Sequence, residues 1–156
     1  MARIFIIRHG SAVPGMDLDS ERVLTHKGEE EAAAVASWAS SQVQPGAGLY
    51  ASPYRRAQQT ASAIAAASGL SIDTLDAITP SGSARVIADM LASENGDVVL
   101  VSHLPLVGRL ASLLVEGFEL DQPWSPAECW LLSGDIIASG CMSVEQTWYP
   151  ALASIG

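Results

Sequence analysis

Two continuous apolar runs, Ile4-Phe5-Ile6-Ile7 and Val98-Val99-Leu100-Val101, each break off into a polar pair that closes on histidine, Arg8-His9 and Ser102-His103. A run with no polar alternation has no solvent face, so each reads as a strand covered on both sides, the environment of a parallel sheet between helices. Shorter strands are expected at Gly48 to Ala51 and Ile72 to Leu75, and later, antiparallel edge strands at Glu128 to Leu132 and Met142 to Trp148. Between them the spacing turns helical. Ala32, Val35, Ala36, Ala39 and Val43 follow an acidic turn, Glu29-Glu30-Glu31, which suits a helix N-terminus. Ala57, Ala61, Ile64 and Ala65 form a second helix, opened by Ser52 as cap and Pro53 as first residue and stopped at Gly69. Ala84 to Leu91 and Leu106 to Leu114 make a third, ending near Asn95-Gly96, and a fourth, ending before Gly117.

This alternation predicts an α/β three-layer sandwich, a mostly parallel central sheet with helices on both faces, as a single domain over residues 1–156. Ligands in such sheets sit beyond the carboxyl ends of the strands. Segments 11–23 and 117–127 have neither period and are expected as loops near that edge.

Charge narrows the choice of partner. Seventeen acidic residues against eight basic ones give a net charge of −9, which opposes nucleic acid or an anionic membrane surface as the general partner. All basic residues except Lys27 are arginines, which suits a few bidentate oxyanion contacts rather than a diffuse basic face. Cys129 and Cys141 have no second pair and no nearby histidine, so neither a zinc site nor a disulfide framework is expected; both read as buried or strand residues. The apolar run at the N-terminus is too short for a signal or a membrane span, and a cytoplasmic location is expected.

The chemistry follows from where the histidines fall. His9 and His103 end buried strands at the edge where α/β sites form, Arg8 adjoins the first, and Arg56 lies in the first turns of the second helix. Two imidazoles and two guanidiniums, without a carboxylate cluster or metal-ligand spacing, describe a site that handles a phosphoryl group with no metal or cofactor. One imidazole attacks phosphorus while the other groups neutralise the equatorial oxygens. Arg3, Arg55, Arg85 and Arg109 are expected in surface salt bridges, His26 as an exposed residue at a helix start, and Ser11 as a loop hydroxyl. Trp38, Trp124, Trp130 and Trp148 read as anchors, with Pro123-Trp124-Ser125-Pro126 the one segment placed for a partner contact.

Arg8-His9-Gly10 after an apolar strand, Ser52-Pro53-Tyr54-Arg55-Arg56-Ala57-Gln58-Gln59-Thr60 opening a helix, and Ser102-His103 after a later strand together resemble the histidine phosphatase superfamily, whose fold is phosphoglycerate mutase-like. Arg22-Val23-Leu24-Thr25 through Gly28, Leu75 to Thr79-Pro80 with Gly82, and Val101 through Gly108 are similar to SixA-type phosphohistidine phosphatases. The likeness covers about residues 1 to 115 and fades in the later strands. It implies that His9 is the nucleophile, that Arg8 and Arg56 bind the phosphoryl oxygens, that His103 donates to them, and that Arg22 adds a substrate contact.

The chain departs from many members of that superfamily in having no room for a large helical lid and no acidic residue in an obvious place to protonate a leaving group. Asp17, Asp19 and Glu21 in the first loop are the candidates for such an acid. Without one, an imidazole leaving group is favoured over an alkoxide. The expectation is a phosphatase acting on a phosphohistidine of a phosphorelay protein, a histidine phosphotransfer domain by analogy. A small-molecule phosphomonoesterase and a non-catalytic phosphate-binding module stand as the alternatives.

Overall fold

Six strands form one sheet in the order β3-β2-β4-β1-β5-β6 in the computed structural model. Residues 1–15 and 17–152 are described. Met16, in the expected 11–23 loop, and positions 153–156 lie outside the described residues. The elements are β1 (Ala2–Arg8), α1 (His26–Gln42), β2 (Gly48–Ala51), α2 (Arg55–Ser68), β3 (Ile72–Thr74), α3 (Ala84–Leu91), β4 (Gly96–Ser102), α4 (Leu106–Glu116), β5 (Cys129–Gly134) and β6 (Met142–Trp148). β3, β2, β4 and β1 pair in parallel, and β5 runs antiparallel to both β1 and β6. Of the two late strands only β6 is an edge, because β5 is held on both sides; the expected edge position of both is corrected there.

The unbroken apolar runs are explained by two cores. Ile4, Ile6, Val98 and Leu100 point to the layer of α3 and α4, whereas Phe5, Ile7, Val99 and Val101 point to that of α1 and α2. Strand side chains alternate, so both faces of β1 and β4 must be apolar when both are covered. Each such aliphatic side chain contributes roughly 1.5–3 kcal/mol by leaving water.

The helix boundaries follow local chemistry. Thr25 caps α1, its hydroxyl accepting the Gly28 N–H at 3.0 Å. α2 and α4 end on Gly69 and Gly117, both left-handed with φ of 79° and 87°. α2 departs from expectation at its start, for it begins at Arg55 with Tyr54 as the flanking residue and no side-chain cap. Ser52 and Pro53 precede it, and the Ser52 hydroxyl is committed elsewhere. Cys129 opens β5 and is fully buried, but Cys141 is exposed just before β6, so its expected burial is corrected; both are free thiols. Among the described residues no helix is long and apolar enough to cross a membrane.

The helix after β1 goes to one face and the helix after β4 to the other, although these strands are neighbours. Their carboxyl ends therefore border a crevice that neither helix fills, the usual ligand position in an open α/β sheet.

Candidate active site

Three adjacent parallel strands deliver the site. His9 follows β1, His103 follows β4 and Ser52 follows β2, and backbone bonds carry the ladder past the strand ends: His9 N–H to Ser102 O at 3.0 Å and Ser52 N–H to Val101 O at 3.1 Å. The imidazole centroids of His9 and His103 lie 5.1 Å apart. The turn at Gly10 is held by its N–H on the Thr60 hydroxyl of α2 at 3.1 Å. It also packs backbone to backbone on the start of α1. A Cβ on Gly10 would lie 2.6 Å from Gly28 O, and a Cβ on Gly28 would strike the Ser11 carbonyl. Two glycines in separate motifs thus permit one close approach.

The His9 ring has a defined tautomer. Nδ1 lies 2.6 Å from Gly10 O, and because a carbonyl only accepts, Nδ1 carries the proton. The Nε2 lone pair then faces Arg56, whose Nε–H donates to it at 3.3 Å. Burial, reinforced by the charges of Arg56, Arg8 and Arg22 and only partly offset by Gly10 O, lowers the His9 pKa to about 4. Burial and the neighbouring His9 and Arg56 charges lower His103 to about 3. At neutral pH both rings are uncharged.

His103 Nε2 is 2.7 Å from Ser52 Oγ. That oxygen also accepts the Tyr54 N–H at 3.2 Å, and in one tautomer of the ring its hydroxyl proton donates to Nε2. The proton of the neutral His103 ring then sits on Nδ1, which is buried without a hydrogen-bond partner among the described residues. Arg8 Nε is in the same condition. Arg8 Nη1 is fixed by the Trp124 carbonyl at 2.7 Å, and burial holds the guanidinium below its usual pKa against the raising charges of Glu31 and Glu128. Unsatisfied buried donors are costly, and two in one crevice are what an incoming oxyanion would satisfy.

Arg56 is held from the outside by Asp19. Its Nη1 donates to Asp19 O at 2.7 Å and its Nη2 to Asp19 Oδ2 at 3.1 Å, while its guanidinium lies 5.0 Å over the Tyr54 ring. Tyr54 in turn meets His103 edge-on with centroids 5.0 Å apart. Arg22 does not join the histidines by hydrogen bond. It donates to Val13 O at 2.7 Å and to Asp19 Oδ1 at 2.9 Å, closing the first loop on itself, yet stays near enough for its charge to depress His9.

The chain is similar to known proteins over most of its length. The profile of the histidine phosphatase superfamily (branch 1) fits residues 4–79, a span that takes in Arg8, His9, Arg22 and Arg56. Phosphohistidine phosphatase SixA of Escherichia coli (strain K12) is 33% identical over 121 residues, covering 74% of this chain and 75% of the relative. The chain belongs to the histidine phosphatase superfamily, in its SixA-type group. A SixA homolog of Haemophilus influenzae is likewise 33% identical, over 124 residues covering 71% of this chain and 76% of that one. The structure of the protein histidine phosphatase SixA complexed with tungstate superposes with a TM-score of 0.83 at 28% identity, across 97% of this chain and 99% of that chain. The SixA-type likeness therefore extends in space through β5 and β6, where the sequence motifs fade.

The SixA-type fold brings Arg8, His9, Arg56 and His103 into one crevice and leaves Arg22 at its margin, bound to Asp19. Of the carboxylates named in the first loop, Asp19 alone is hydrogen-bonded to a pocket arginine, whereas Glu21 pairs with Arg55 at 3.4 Å and Asp17 is exposed. The hydrogen bond from Arg22 above all, joined by the hydrogen bond from Arg56 and the charges of both arginines, holds the Asp19 carboxyl below the usual range despite the opposing effect of burial. Both Asp19 carboxylate oxygens thus accept hydrogen bonds from arginines.

Trp124 is buried, stacks on Trp130 at 4.6 Å and serves through its carbonyl, so its ring is no partner surface. Ser11 acts through its backbone: its N–H donates to Glu31 Oε1 at 2.8 Å. His26 is exposed at the first residue of α1, paired with Glu30, and Arg85 and Arg109 make surface pairs with Glu119 and Asp121. Arg3 goes beyond a surface bridge, joining the nearly buried Asp97 to the Gln42 carbonyl at the opposite edge of the sheet. Ser52, Tyr54 and Thr60 were missed as site residues. For Ser52 a signal existed, since it follows a strand just as the two histidines do.

Proposed function

We propose that the protein is a phosphohistidine phosphatase that transfers the phosphoryl group of a protein phosphohistidine to His9 and then to water. His9 Nε2, neutral and with its proton held on Nδ1 by Gly10 O, attacks phosphorus; the N–P bond of the substrate breaks and its electron pair stays on the leaving imidazole. Arg56 Nε–H, Arg8 Nε–H and His103 Nδ1–H donate to the equatorial oxygens, where charge redistributes in the transition state. Water then attacks the phosphorus of phospho-His9, the Nε2–P bond breaks, and orthophosphate leaves. Arg22 acts through Asp19 rather than on the phosphoryl group.

The observation that carries the choice of substrate is the engagement of both Asp19 oxygens by arginines. The carboxylate at the site supplies no proton, so an alkoxide leaving group is poorly served, whereas an imidazole accepts a proton from solvent near neutral pH. This disfavours the phosphomonoesterase reading. A partner domain that projects its histidine, such as a histidine phosphotransfer domain in a cytoplasmic phosphorelay, suits a site without a helical lid.

The test is kcat/KM, in the presence of EDTA, on a phosphorylated histidine phosphotransfer domain and on a simple phosphate monoester side by side. A preference for the N-phosphoryl protein above about tenfold, roughly 1.4 kcal/mol, is expected. A preference for the ester would replace this reading with the phosphomonoesterase. Brief exposure to labelled substrate is expected to leave label on His9, which separates an enzyme from a binding module.

A further inference from the structure

Asp19 occupies an unusual place for an acidic residue in a site built for an anion. Its carboxylate touches the outer edge of the Arg56 guanidinium, and its side chain is 56% exposed where that of Arg56 is 5% exposed, so it stands at the mouth of the crevice. Among the described residues it is the one carboxylate hydrogen-bonded to an arginine of the pocket. In-line attack by His9 Nε2 sends the leaving group away from His9, and Asp19, exposed where His9 and Arg56 are buried, lies on their solvent side. The orientation of Arg56 does not depend on the carboxylate alone, because the Asp19 backbone carbonyl accepts from Nη1 at 2.7 Å. The acidic side chain is therefore a cost to anion binding that must be offset by something else.

We propose that Asp19 is a specificity-determining residue, whose carboxylate accepts a hydrogen bond from the ring N–H of the departing imidazole and so selects N-phosphoryl imidazole over phosphate esters. This rests on the function proposed above. The ring nitrogen that does not carry the phosphoryl group takes a proton from solvent, giving the ring positive charge. When the N–P bond breaks, its electron pair neutralises that charge and a neutral imidazole departs. A carboxylate beside the ring stabilises the protonated form throughout. An alkoxide leaving group gains negative charge instead and is repelled by the same carboxylate. One side chain acts with opposite sign on the two substrate classes, and discrimination by repulsion is as effective as discrimination by attraction.

The experiment compares the full-length wild type with Asp19→Asn and Asp19→Glu, using a phosphohistidine peptide, an alkyl phosphate, and orthophosphate as a competitive inhibitor. In Asp19→Asn the ratio of kcat/KM for phosphohistidine to that for the ester is expected to fall at least tenfold, and Asp19→Glu is expected to recover part of it. Orthophosphate is expected to inhibit Asp19→Asn at least as strongly as the wild type. A parallel loss on both substrates with weakened orthophosphate inhibition would mean that Asp19 only orients Arg56, and an unchanged ratio would equally overturn the proposal. Wild-type protein inactive on phosphohistidine would instead bring down the functional reading beneath it, an outcome seen before any variant is compared.

Discussion

At the residue scale the site depends on keeping two imidazoles neutral and presenting the correct nitrogen of each. Burial and the nearby positive charges keep the rings neutral, while Gly10 O fixes the proton position of His9 and the Ser52 hydroxyl holds Nε2 of His103. Replacing His9 by Ala is expected to lower kcat/KM by at least about a thousandfold and to abolish labelling, since no other described group stands in its place. Ser52→Ala is expected to lower kcat/KM roughly tenfold, the value of about one hydrogen bond, as His103 Nε2 is no longer held; steady-state assays on refolded, correctly folded protein check it. The depressed pKa values also link to stability. An unfolded histidine titrates near 6.5, while His9 and His103 titrate at about 4 and about 3 when folded. Below pH 6.5 the unfolded chain takes up protons that the folded one refuses, so stability is full above that pH and falls by several kcal/mol as pH drops toward 4. Thermal melts between pH 7.5 and 4.5 are expected to show this slope in the wild type and a flatter one in His103→Asn.

At the scale of elements, the decisive contact is between the turn after β1 and the first turn of α1. Gly10 and Gly28 let the two backbones touch, and Thr25 caps α1 at that place. Gly28→Ala would force the Ser11 carbonyl away and carry Gly10 O, the proton acceptor of His9, with it. A loss of about 2–4 kcal/mol is expected, more than a helical Gly→Ala change elsewhere would produce, together with reduced kcat. Urea midpoints and kcat measured on the same preparation check both parts. The helical periods and the glycine stops of α2 and α4 were legible in the sequence; the start of α2 was not, nor was the end of α3, which falls at Leu91 rather than near Asn95-Gly96, where Gly96 instead opens β4. Ser52-Pro53 has the composition of a cap, but the Ser52 hydroxyl accepts the Tyr54 N–H ahead of the helix while bonding to His103, and α2 opens at Arg55 with no side-chain cap.

Across the whole molecule, binding chemistry and stabilising chemistry occupy opposite edges of the sheet. At the amino ends of β1 and β4, Asp97 receives Arg3 at 2.9 and 2.8 Å and the Gln44 N–H at 2.8 Å, tying the end of α1 to the central strands. Asp97→Ala leaves Arg3 and that N–H without their acceptor. It is expected to cost about 3 kcal/mol in chemical denaturation while kcat/KM stays within about twofold, because the altered contacts lie at the far end of the strands.

The sequence by itself determined the sandwich and pointed to Arg8, His9, Arg56 and His103 as residues that the fold would gather at one place. Burial on two faces writes itself as unbroken apolar runs, helices write a period near 3.6, and the strand ends mark where polar side chains must gather. Tertiary structure alone decided that Ser52 orients His103 across 51 positions, that Asp19 reaches Arg56 across 37, and that the Trp124 carbonyl rather than its ring serves the site. Those contacts have no period and no local signature, for they arise only when strands distant in sequence lie side by side and their ends must satisfy one another's hydrogen bonds.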